Sequence, residues 1–319
     1  MAGNTGAHLV TGIGDDCAVL RLPSGLDTLV TTDFSLEGVH FRREWHPAEA
    51  IGHRCLTRGL SDIAAMGGDP VAAFLSLALP ANTPNRWVDA FFMGMHALAA
   101  TAHIPLAGGD IAQSPSGVLA DITVVGSVPS GKAILRSTAQ AGDRIFVTGE
   151  LGASAALLEQ MFANPKKRFR PKFYPAHFYP QPQLAVARYL REKQLASAMI
   201  DISDGLSTDL SHICAESEVG AVVHGSAVPC AILGRHEVDR AFALHGGDEY
   251  QLLFTSPQGR RVPKEIAGVT ITHIGYITDD REMLLEEDNG YTTELEPQGW
   301  EHFTEQTPGS RRRLAKRRK

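Results

Sequence analysis

Residues 47–80, PAEAIGHRCLTRGLSDIAAMGGDPVAAFLSLALP, hold the pattern that decides the fold. Pro47 is followed by apolar residues at helical spacing, namely Ile51, Cys55, Leu56, Leu60, Ile63 and Ala64. A proline suits the first turn of a helix. A Gly-Gly-Asp-Pro turn comes next, and the run VAAFLSLAL (71–79) has the apolar, bounded composition of a strand. The stretch therefore predicts a helix over 47–66 joined to a strand.

The same alternation continues on both sides of this unit. Further strands are predicted at 27–33 (DTLVTTD), at 118–128 (VLADITVVGSV) and at IFVTG after Gly142, and further helices at 84–103, at 153–162, at 182–194 and from Asp204. The segment 162–183 is dense in proline, aromatic and basic residues without periodicity, which predicts a loop. Strands that alternate with helices indicate an α/β or α+β class.

The length of 319 residues, with 43% hydrophobic and 21% charged content, is sufficient for two globular domains. Small polar residues at 137–143 place the join there. We expect an N-terminal domain over 1–138, a C-terminal α/β domain over 139–305 and a disordered tail over 306–319. The tail ends RRRLAKRRK, and contact of this basic run with RNA or an acidic surface stays open as an alternative.

Composition excludes several classes of protein. No apolar run approaches the roughly 20 residues that cross a bilayer, and the sequence MAGNTGAHLV lacks the pattern of a secretory signal, so we expect a cytoplasmic protein with no membrane partner. The four cysteines form no CxxC pair, which predicts buried thiols rather than a zinc site or disulfides. The net charge of −6 includes the basic tail, so the body is acidic and nucleic acid is not an expected partner.

Six short acidic motifs recur along the chain beside glycine, serine or threonine, with few basic residues nearby. They are GIGDD (12–16), TTD (31–33), LSD (60–62), GGD (108–110), DISDG (201–205) and HGGDE (245–249). Each motif alone is typical of a turn, and Asp62 and Asp204 could be helix caps. Together, unpaired carboxylates need cations, and hard oxygen ligands in short, separate loops favour Mg²⁺ over Ca²⁺. The set therefore predicts a magnesium site.

Familiar nucleotide-binding and hydrolase motifs find little support. Residues 126–133, GSVPSGKA, approach the pattern GxxxxGK[ST], but Ala133 replaces the hydroxyl residue that would hold Mg²⁺. Pro129 beside Ser-Gly predicts a turn between strands instead. The chain has neither the GxGxxG of dinucleotide oxidoreductases nor the GxSxG of α/β-hydrolases.

Taken in order, the motifs resemble the thiamine-monophosphate kinase family, of the superfamily that includes aminoimidazole ribonucleotide synthetase and selenophosphate synthetase. The resemblance is carried by GIGDDCAVL, TTDFSLEGVHF, LSDIAAMGGDP, LAGGDIAQS, ISDGLSTDLSHI, HGGDEYQLLF and GWEHF. It implies two α/β domains per subunit and a homodimer in which the N-terminal domains pair their sheets into a β-barrel. It also implies Mg-dependent transfer of a phosphoryl group from ATP to thiamine monophosphate, with ATP and magnesium bound near the dimer interface.

The resemblance also implies roles for particular residues. Metal ligands would be Asp16, Thr31, Thr32, Asp33, Asp62, Asp110, Asp201 and Asp204. Residues facing ATP would be Gly109, Asp110, Arg136 and Ser203. By the same resemblance, thiamine monophosphate would contact His40, Asp248 and Trp300. An aromatic face and a carboxylate also suit a cationic thiazolium and an aminopyrimidine.

The chain departs from the family at two places. The family commonly has GGEDYE where this chain has GGDEYQ (246–251), so substrate contact could shift from Asp248 to Glu249. Gln183 stands where an arginine is usual. The hydroxyl oxygen of a phosphomonoester is already ionised near neutral pH, since its second pKa is about 6, so no catalytic base is expected.

Three rival functions stay open at this point. Aminoimidazole ribonucleotide synthetase uses similar ATP and metal motifs. Selenophosphate synthetase needs a reactive cysteine near the N-terminus, for which Cys17, expected to be buried in a strand, is a poor candidate. A nucleotide- and metal-binding regulator that has lost catalysis is suggested only by the GGDEYQ change.

Overall fold

The computed structural model describes residues 7–13 and 17–300. Asp16, expected to bind metal, and the predicted tail over 306–319 lie outside the described residues. Within the described ranges, each helix is too short or too polar to cross a bilayer.

The first part of the chain builds one small sheet covered by two helices. Its elements are β1 (Leu9–Thr11), β2 (Val19–Leu20), β3 (Leu26–Leu36), α1 (Ala48–Ala65), β4 (Asp69–Pro80), α2 (Asn85–Thr101), β5 (Leu106–Ser114) and β6 (Leu119–Pro129). The four-stranded sheet has the order β3-β6-β4-β5, with β4 and β5 parallel and the other pairs antiparallel. β1 and β2 form a separate antiparallel pair.

α1 and α2 pack tightly against each other because a glycine of each helix meets the backbone of the other. A Cβ atom on Gly52 would lie 1.9 Å from the carbonyl oxygen of Phe91, and one on Gly94 would lie 1.8 Å from that of Glu49. The helices bury their apolar faces on the sheet, with Leu60 and Ile122 fully enclosed. This core fixes the position of α1, whose last turns carry acidic motif 60–62.

The second part of the chain forms a larger mixed sheet. Its elements are β7 (Arg144–Thr148), α3 (Ala153–Ala163), α4 (Pro175–Phe178), α5 (Leu184–Glu192), β8 (Ala198–Ile202), α6 (Leu206–Ser217), β9 (Gly220–His224), β10 (Ile232–Leu233), β11 (His236–Glu237), α7 (Arg240–His245), β12 (Gln251–Ser256), β13 (Glu265–Ile266), β14 (Val269–Thr278), β15 (Met283–Glu286) and β16 (Thr292–Glu294). The eight-stranded sheet runs β16-β15-β9-β14-β7-β12-β8, with β13 paired to β14. The two-domain mixed α/β architecture predicted from the sequence is confirmed.

Local patterns failed where the chain is polar or rich in proline. β5 was not predicted, because Gly108-Gly109-Asp110 resembles a turn and much of this edge strand is exposed. The expected loop over 162–183 contains the 3-10 turn Pro171–Phe173 and the single-turn helix α4. α4 is stabilised by burial of His177 and Phe178, which periodicity over four residues does not reveal.

The prediction of buried thiols is correct for only part of the set. Cys55 and Cys214 are buried, and burial raises the pKa of each thiol to about 12. Cys230 is partly exposed, and Cys17 is exposed in a bend rather than buried in a strand, so that expectation was wrong.

Candidate active site

Three of the acidic motifs, those with Asp33, Asp62 and Asp201, meet where α1 passes between β3 and β8. Arg54, Arg58 and Asp62 recur every fourth residue of α1 and therefore lie along one face of the helix. β3 places Asp33 opposite this face, and β8 contributes Asp201. The structure thus joins residues of both sheets at one site.

Three carboxylates of this site are partly or fully shielded from water. Ser61 Oγ donates a hydrogen bond to Asp201 Oδ2 at 2.6 Å, and Thr31 Oγ1 donates one to Asp62. Burial raises the pKa of Asp33 to about 6, and burial with the charge of Asp201 raises the pKa of Asp62 to about 6. Burial also raises the pKa of Asp201.

Raised carboxyl pKa values show that ionised side chains here lack sufficient positive charge from the protein itself. Carboxylate and hydroxyl oxygens are the donors that Mg²⁺ accepts. The donor set of Asp33, Asp62, Asp201 and Thr31 therefore fits a hard divalent cation.

A second acidic group follows β8. One ligand atom each of Asp204, Asp209 and His212 lies within 4.8 Å of the others. Asp209 Oδ2 accepts hydrogen bonds from the backbone N–H groups of Ser203, Asp204 and Gly205, at 3.1, 3.2 and 3.0 Å. Burial and the charges of Asp201 and Asp204 raise the pKa of Asp209 to about 8.

Asp209 was missed from the sequence although it belongs to the motif ISDGLSTD. Its position in the first turn of α6 was the available signal, since acids there bond free N–H groups. The alternative that Asp204 caps this helix is wrong, because Gly205 is the capping residue. Asp62 is likewise no N-terminal cap, since it lies in the last turn of α1.

Two acids predicted to lie in loops lie inside strands, Asp110 in β5 and Asp201 in β8. Asp33, predicted at the end of a strand, lies inside β3. The strands extend beyond the apolar runs because neighbouring strands continue their hydrogen-bond ladders, as β3 does with β6 from Leu26 to Leu36.

Strand geometry separates Thr32 from its neighbours. Successive side chains of a strand point to opposite faces. Thr31 and Asp33 therefore face α1, whereas Thr32 Oγ1 donates to Asp121 Oδ1 at 2.7 Å on the other face of the sheet. The hydroxyl of Thr32 does not join the group formed by Asp33 and Asp62.

The residues expected to face ATP lie on several elements, with Gly109 and Asp110 in the edge strand β5. Asp110 is exposed on β5, where its Oδ1 accepts a hydrogen bond from the N–H of Ile111 at 2.9 Å. Gly109 has φ of 149°, and a Cβ there would lie 2.0 Å from the carbonyl oxygen of Leu75, so the strand requires glycine. The positive charge of Arg136 lowers the pKa of both Asp62 and Asp201 against the effect of burial.

Asp248 is the acid that two arginines hold. Arg54 Nη2 lies 2.9 Å from Asp248 Oδ2, Arg58 Nη2 lies 3.0 Å from Asp248 Oδ1, and Tyr250 donates its hydroxyl to Oδ1 at 2.7 Å. Burial would raise the pKa of Asp248, but Arg54 and Arg58 outweigh it and hold that pKa well below its usual value. Arginines that are distant in the sequence are therefore neighbours of this motif in the fold.

Glu249 points into the protein instead. It is 4% exposed, and its Oε1 accepts hydrogen bonds from the N–H groups of Gly152 and Ser154, at 3.0 and 3.2 Å, where α3 begins. Burial raises the pKa of Glu249 to about 8. Of the two exchanged acids, Asp248 is therefore the one that faces the site, with a side chain that is 26% exposed.

The other two expected substrate residues lie at different edges of the site. His40 Nδ1 accepts a hydrogen bond from the N–H of Leu36 at 2.9 Å, in the turn after β3. The backbone N–H of Trp300 donates a hydrogen bond to the carbonyl oxygen of Asp204 at 3.1 Å. This backbone contact places Trp300 beside the second acidic group.

Gln183 also has a structural contact. Its side chain is 8% exposed, and its Nε2 donates to the carbonyl oxygen of Gln181 at 3.0 Å. It helps hold the entry to α5 rather than facing the acidic groups.

Comparisons with known proteins agree over nearly the whole chain. The families of AIR synthase related protein, N-terminal domain and C-terminal domain, match residues 14–128 and 140–286. Thiamine-monophosphate kinase of Salmonella typhimurium is 36% identical over 304 residues, covering 92% of each chain. The crystal structure of thiamine-monophosphate kinase from Stenotrophomonas maltophilia K279a is similar with a TM-score of 0.79 and 35% identity, covering 90% of this chain and 93% of that one. AaThiL complexed with AMPPCP and TMP is similar with a TM-score of 0.77 and 29% identity, covering 89% of each chain.

Proposed function

Since the chain belongs to the thiamine-monophosphate kinase family and is built from AIR synthase related domains, we propose that it transfers the γ-phosphoryl group of ATP directly to thiamine monophosphate. The products are thiamine diphosphate and ADP, a step of thiamine diphosphate biosynthesis. The observation that carries the proposal is the gathering of Asp33, Asp62 and Asp201 beside Arg58, which contacts Asp33 and Asp248. The fold is shared with a structure described as AaThiL complexed with AMPPCP and TMP.

The chemistry demands no catalytic base. The acceptor phosphate already carries an ionised oxygen at neutral pH. The obstacle is repulsion between this anion and ATP, which bound Mg²⁺ reduces by neutralising phosphate charge. Asp33, Asp62 and Asp201, with Thr31, would hold the metal on one side of α1, and Asp204 would do so at the start of α6.

The remaining assignments rest on the resemblance of the motifs to the family. Gly109, Asp110, Arg136 and Ser203 are proposed to face ATP. His40, Asp248 and Trp300 are proposed to contact thiamine monophosphate. Asp16 and Thr32 stay predicted metal ligands, the first outside the described residues and the second with its hydroxyl on the other face of β3.

The uncovered face of the small sheet supports a homodimer. Val30 is 67% exposed and Phe34 is 52% exposed on the face of β3 opposite α1. Apolar side chains exposed in this manner favour burial against another sheet. We propose that two copies pair these faces into a barrel, and that the domains divide near residue 139; the cytoplasmic location stays a prediction.

ADP release with and without thiamine monophosphate tests the function. The expected result is release that requires thiamine monophosphate, ATP and Mg²⁺ together, with no phosphorylated protein trapped by acid quenching. Release independent of the acceptor, or a phosphoenzyme that forms and decays at the turnover rate, would overturn the proposal. An aminoimidazole ribonucleotide synthetase activity would instead require a different acceptor.

A further inference from the structure

Arg58 connects the two sides of the proposed active site. Its guanidinium lies between Asp33 and Asp248, with Nη1 at 3.4 Å from Asp33 Oδ1 and Nη2 at 3.0 Å from Asp248 Oδ1. Asp33 belongs to the first acidic group, which it forms with Asp62 and Asp201, and Asp248 belongs to the loop that follows α7. A cation therefore lies where an anionic acceptor would approach the acids proposed to hold metal.

The orientation of this guanidinium is fixed on the Asp248 side. The ring of Tyr250 lies 5.9 Å from the guanidinium carbon, and its hydroxyl bonds the same carboxylate oxygen that Arg58 contacts. The other oxygen of Asp248 is held by Arg54. Asp248 is thus an anchor whose position does not depend on a bound ligand.

Arg58 has donors to spare. Its guanidinium carries five N–H bonds. Within the described part of the chain, the contacts with Asp33 and Asp248 use one each, and the former is long. A phosphate monoester presents oxygens that match the remaining donors, since arginine binds phosphate through two parallel hydrogen bonds.

Arg54 shows the contrasting case of a cation committed to the protein. Its side chain is 4% exposed, against 11% for Arg58. Besides its contact with Asp248, it donates to the backbone carbonyl of His177 in α4. Arg54 therefore holds the loop, and Arg58 is the more accessible of the two guanidinium groups.

We propose that Arg58 binds the phosphate group of the acceptor, held in place by Asp248. The inference rests on the proposed function and names the residue that recognises the phosphate of its substrate. During transfer the bond from the γ-phosphorus to the ADP oxygen breaks and the bond to the acceptor oxygen forms, and Arg58 stays protonated.

Calorimetric titration with two ligands isolates the phosphate contact. Thiamine monophosphate and thiamine, which lacks the phosphate, are titrated separately into the wild-type protein and into R58Q and R58K without ATP. Loss of hydrogen bonds to a charged group corresponds to about a tenfold to hundredfold weakening. We expect R58Q to lose this much affinity for thiamine monophosphate and none for thiamine, and R58K to lose less.

R240Q is the matched control, because Arg240 pairs with Glu287 and contacts neither Asp33 nor Asp248. R240Q should bind both ligands as the wild type does. Equal weakening for both ligands in R58Q, or none for either, would overturn the inference while leaving the function intact. A wild-type protein that neither binds nor phosphorylates thiamine monophosphate would overturn the function, and this inference with it.

Should R58Q not fold, R58K decides the matter by steady-state kinetics. A KM for thiamine monophosphate raised severalfold, with an unchanged KM for ATP, supports the inference. Equal changes in both constants, or no change in either, count against it.

Discussion

Asp62→Asn should make the protein inactive and, without metal, more stable. The pKa of Asp62 is raised from 3.8 to about 6 by burial and by the charge of Asp201. Each unit of pKa corresponds to about 1.36 kcal/mol, so ionisation of Asp62 lowers the free energy of unfolding by up to about 3 kcal/mol. Because the side chain is partly exposed, we expect about 1–3 kcal/mol. An asparagine keeps an oxygen for Thr31 and carries no charge. The substitution therefore removes a cost of the metal-free fold.

The pH dependence follows from the direction of the shift. A raised carboxyl pKa means that the folded protein holds its proton more tightly than the unfolded chain. The cost is therefore complete above about pH 6 and is lost as the pH falls toward 3.8. D62N should gain its full stability at pH 7, and the gain should shrink as the pH is lowered to about 4.

Thermal unfolding in EDTA measures this effect. For a chain of this size, about 1–3 kcal/mol corresponds to a rise in Tm of roughly 2–10 °C. Added Mg²⁺ should raise the Tm of the wild type and not that of D62N, since only a bound ligand stabilises the folded state. Turnover of D62N should be abolished.

Asp27→Asn is the matched control at the start of β3. The pKa of Asp27 is lowered by hydrogen bonds from the N–H of Gly131 and the hydroxyl of Ser130. D27N should therefore gain no stability at pH 7 and should retain turnover. A metal-free D62N that melts below the wild type at pH 7, or that keeps wild-type turnover, would refute the charge argument.

Three further outcomes are expected. E249A should lose about 1–3 kcal/mol of stability, because two buried N–H groups at the start of α3 lose their acceptor. E249A should still bind thiamine monophosphate normally, whereas D248N should bind it more weakly. Denaturant unfolding measures the first effect and calorimetry the second. Burial lowers the pKa of His46 from 6.5 to about 4, so stability should fall as the pH drops from 6.5 toward 4, and H46Q should show a shallower fall in unfolding curves measured across that range. G52A should lose about 1–3 kcal/mol or more, since its Cβ would meet the carbonyl oxygen of Phe91 at 1.9 Å, and a Tm equal to that of the wild type would contradict the close packing of α1 on α2.

Local sequence patterns predicted the elements that bury apolar faces. The helix α1 and the strand β4 follow directly from the spacing of residues 47–80. β5 escaped prediction because glycine and aspartate on an exposed edge strand leave no alternating pattern. Edge position depends on the neighbouring strands, which a local window does not contain.

The site shows the same division between local and distant information. Asp33, Asp62 and Asp201 were expected from repeated acidic motifs, and the structure brings them together. The contacts of Arg54 and Arg58 with Asp248 join residues about 190 positions apart, and only the packing of α1 against the loop after α7 creates them. Repeated acidic motifs identify candidate site residues, whereas the fold determines which side chains contact them.

The inward turn of Glu249 illustrates this limit further. From the sequence, either acid of the exchanged pair could face the substrate. The structure distinguishes their orientations because the N–H groups at the start of α3 donate hydrogen bonds to the Glu249 carboxylate in the interior. The backbone of a helix distant in the sequence therefore determines which of the two adjacent acids points into the protein.

Transfer of radioactive phosphate tests the central claim most directly. The purified protein is incubated with [γ-³²P]ATP, Mg²⁺ and thiamine monophosphate, and the products are separated by chromatography. The account predicts label in thiamine diphosphate in amounts equal to the ADP formed, and none when EDTA is added. Label recovered as inorganic phosphate or on the protein, with none in thiamine diphosphate, would contradict it.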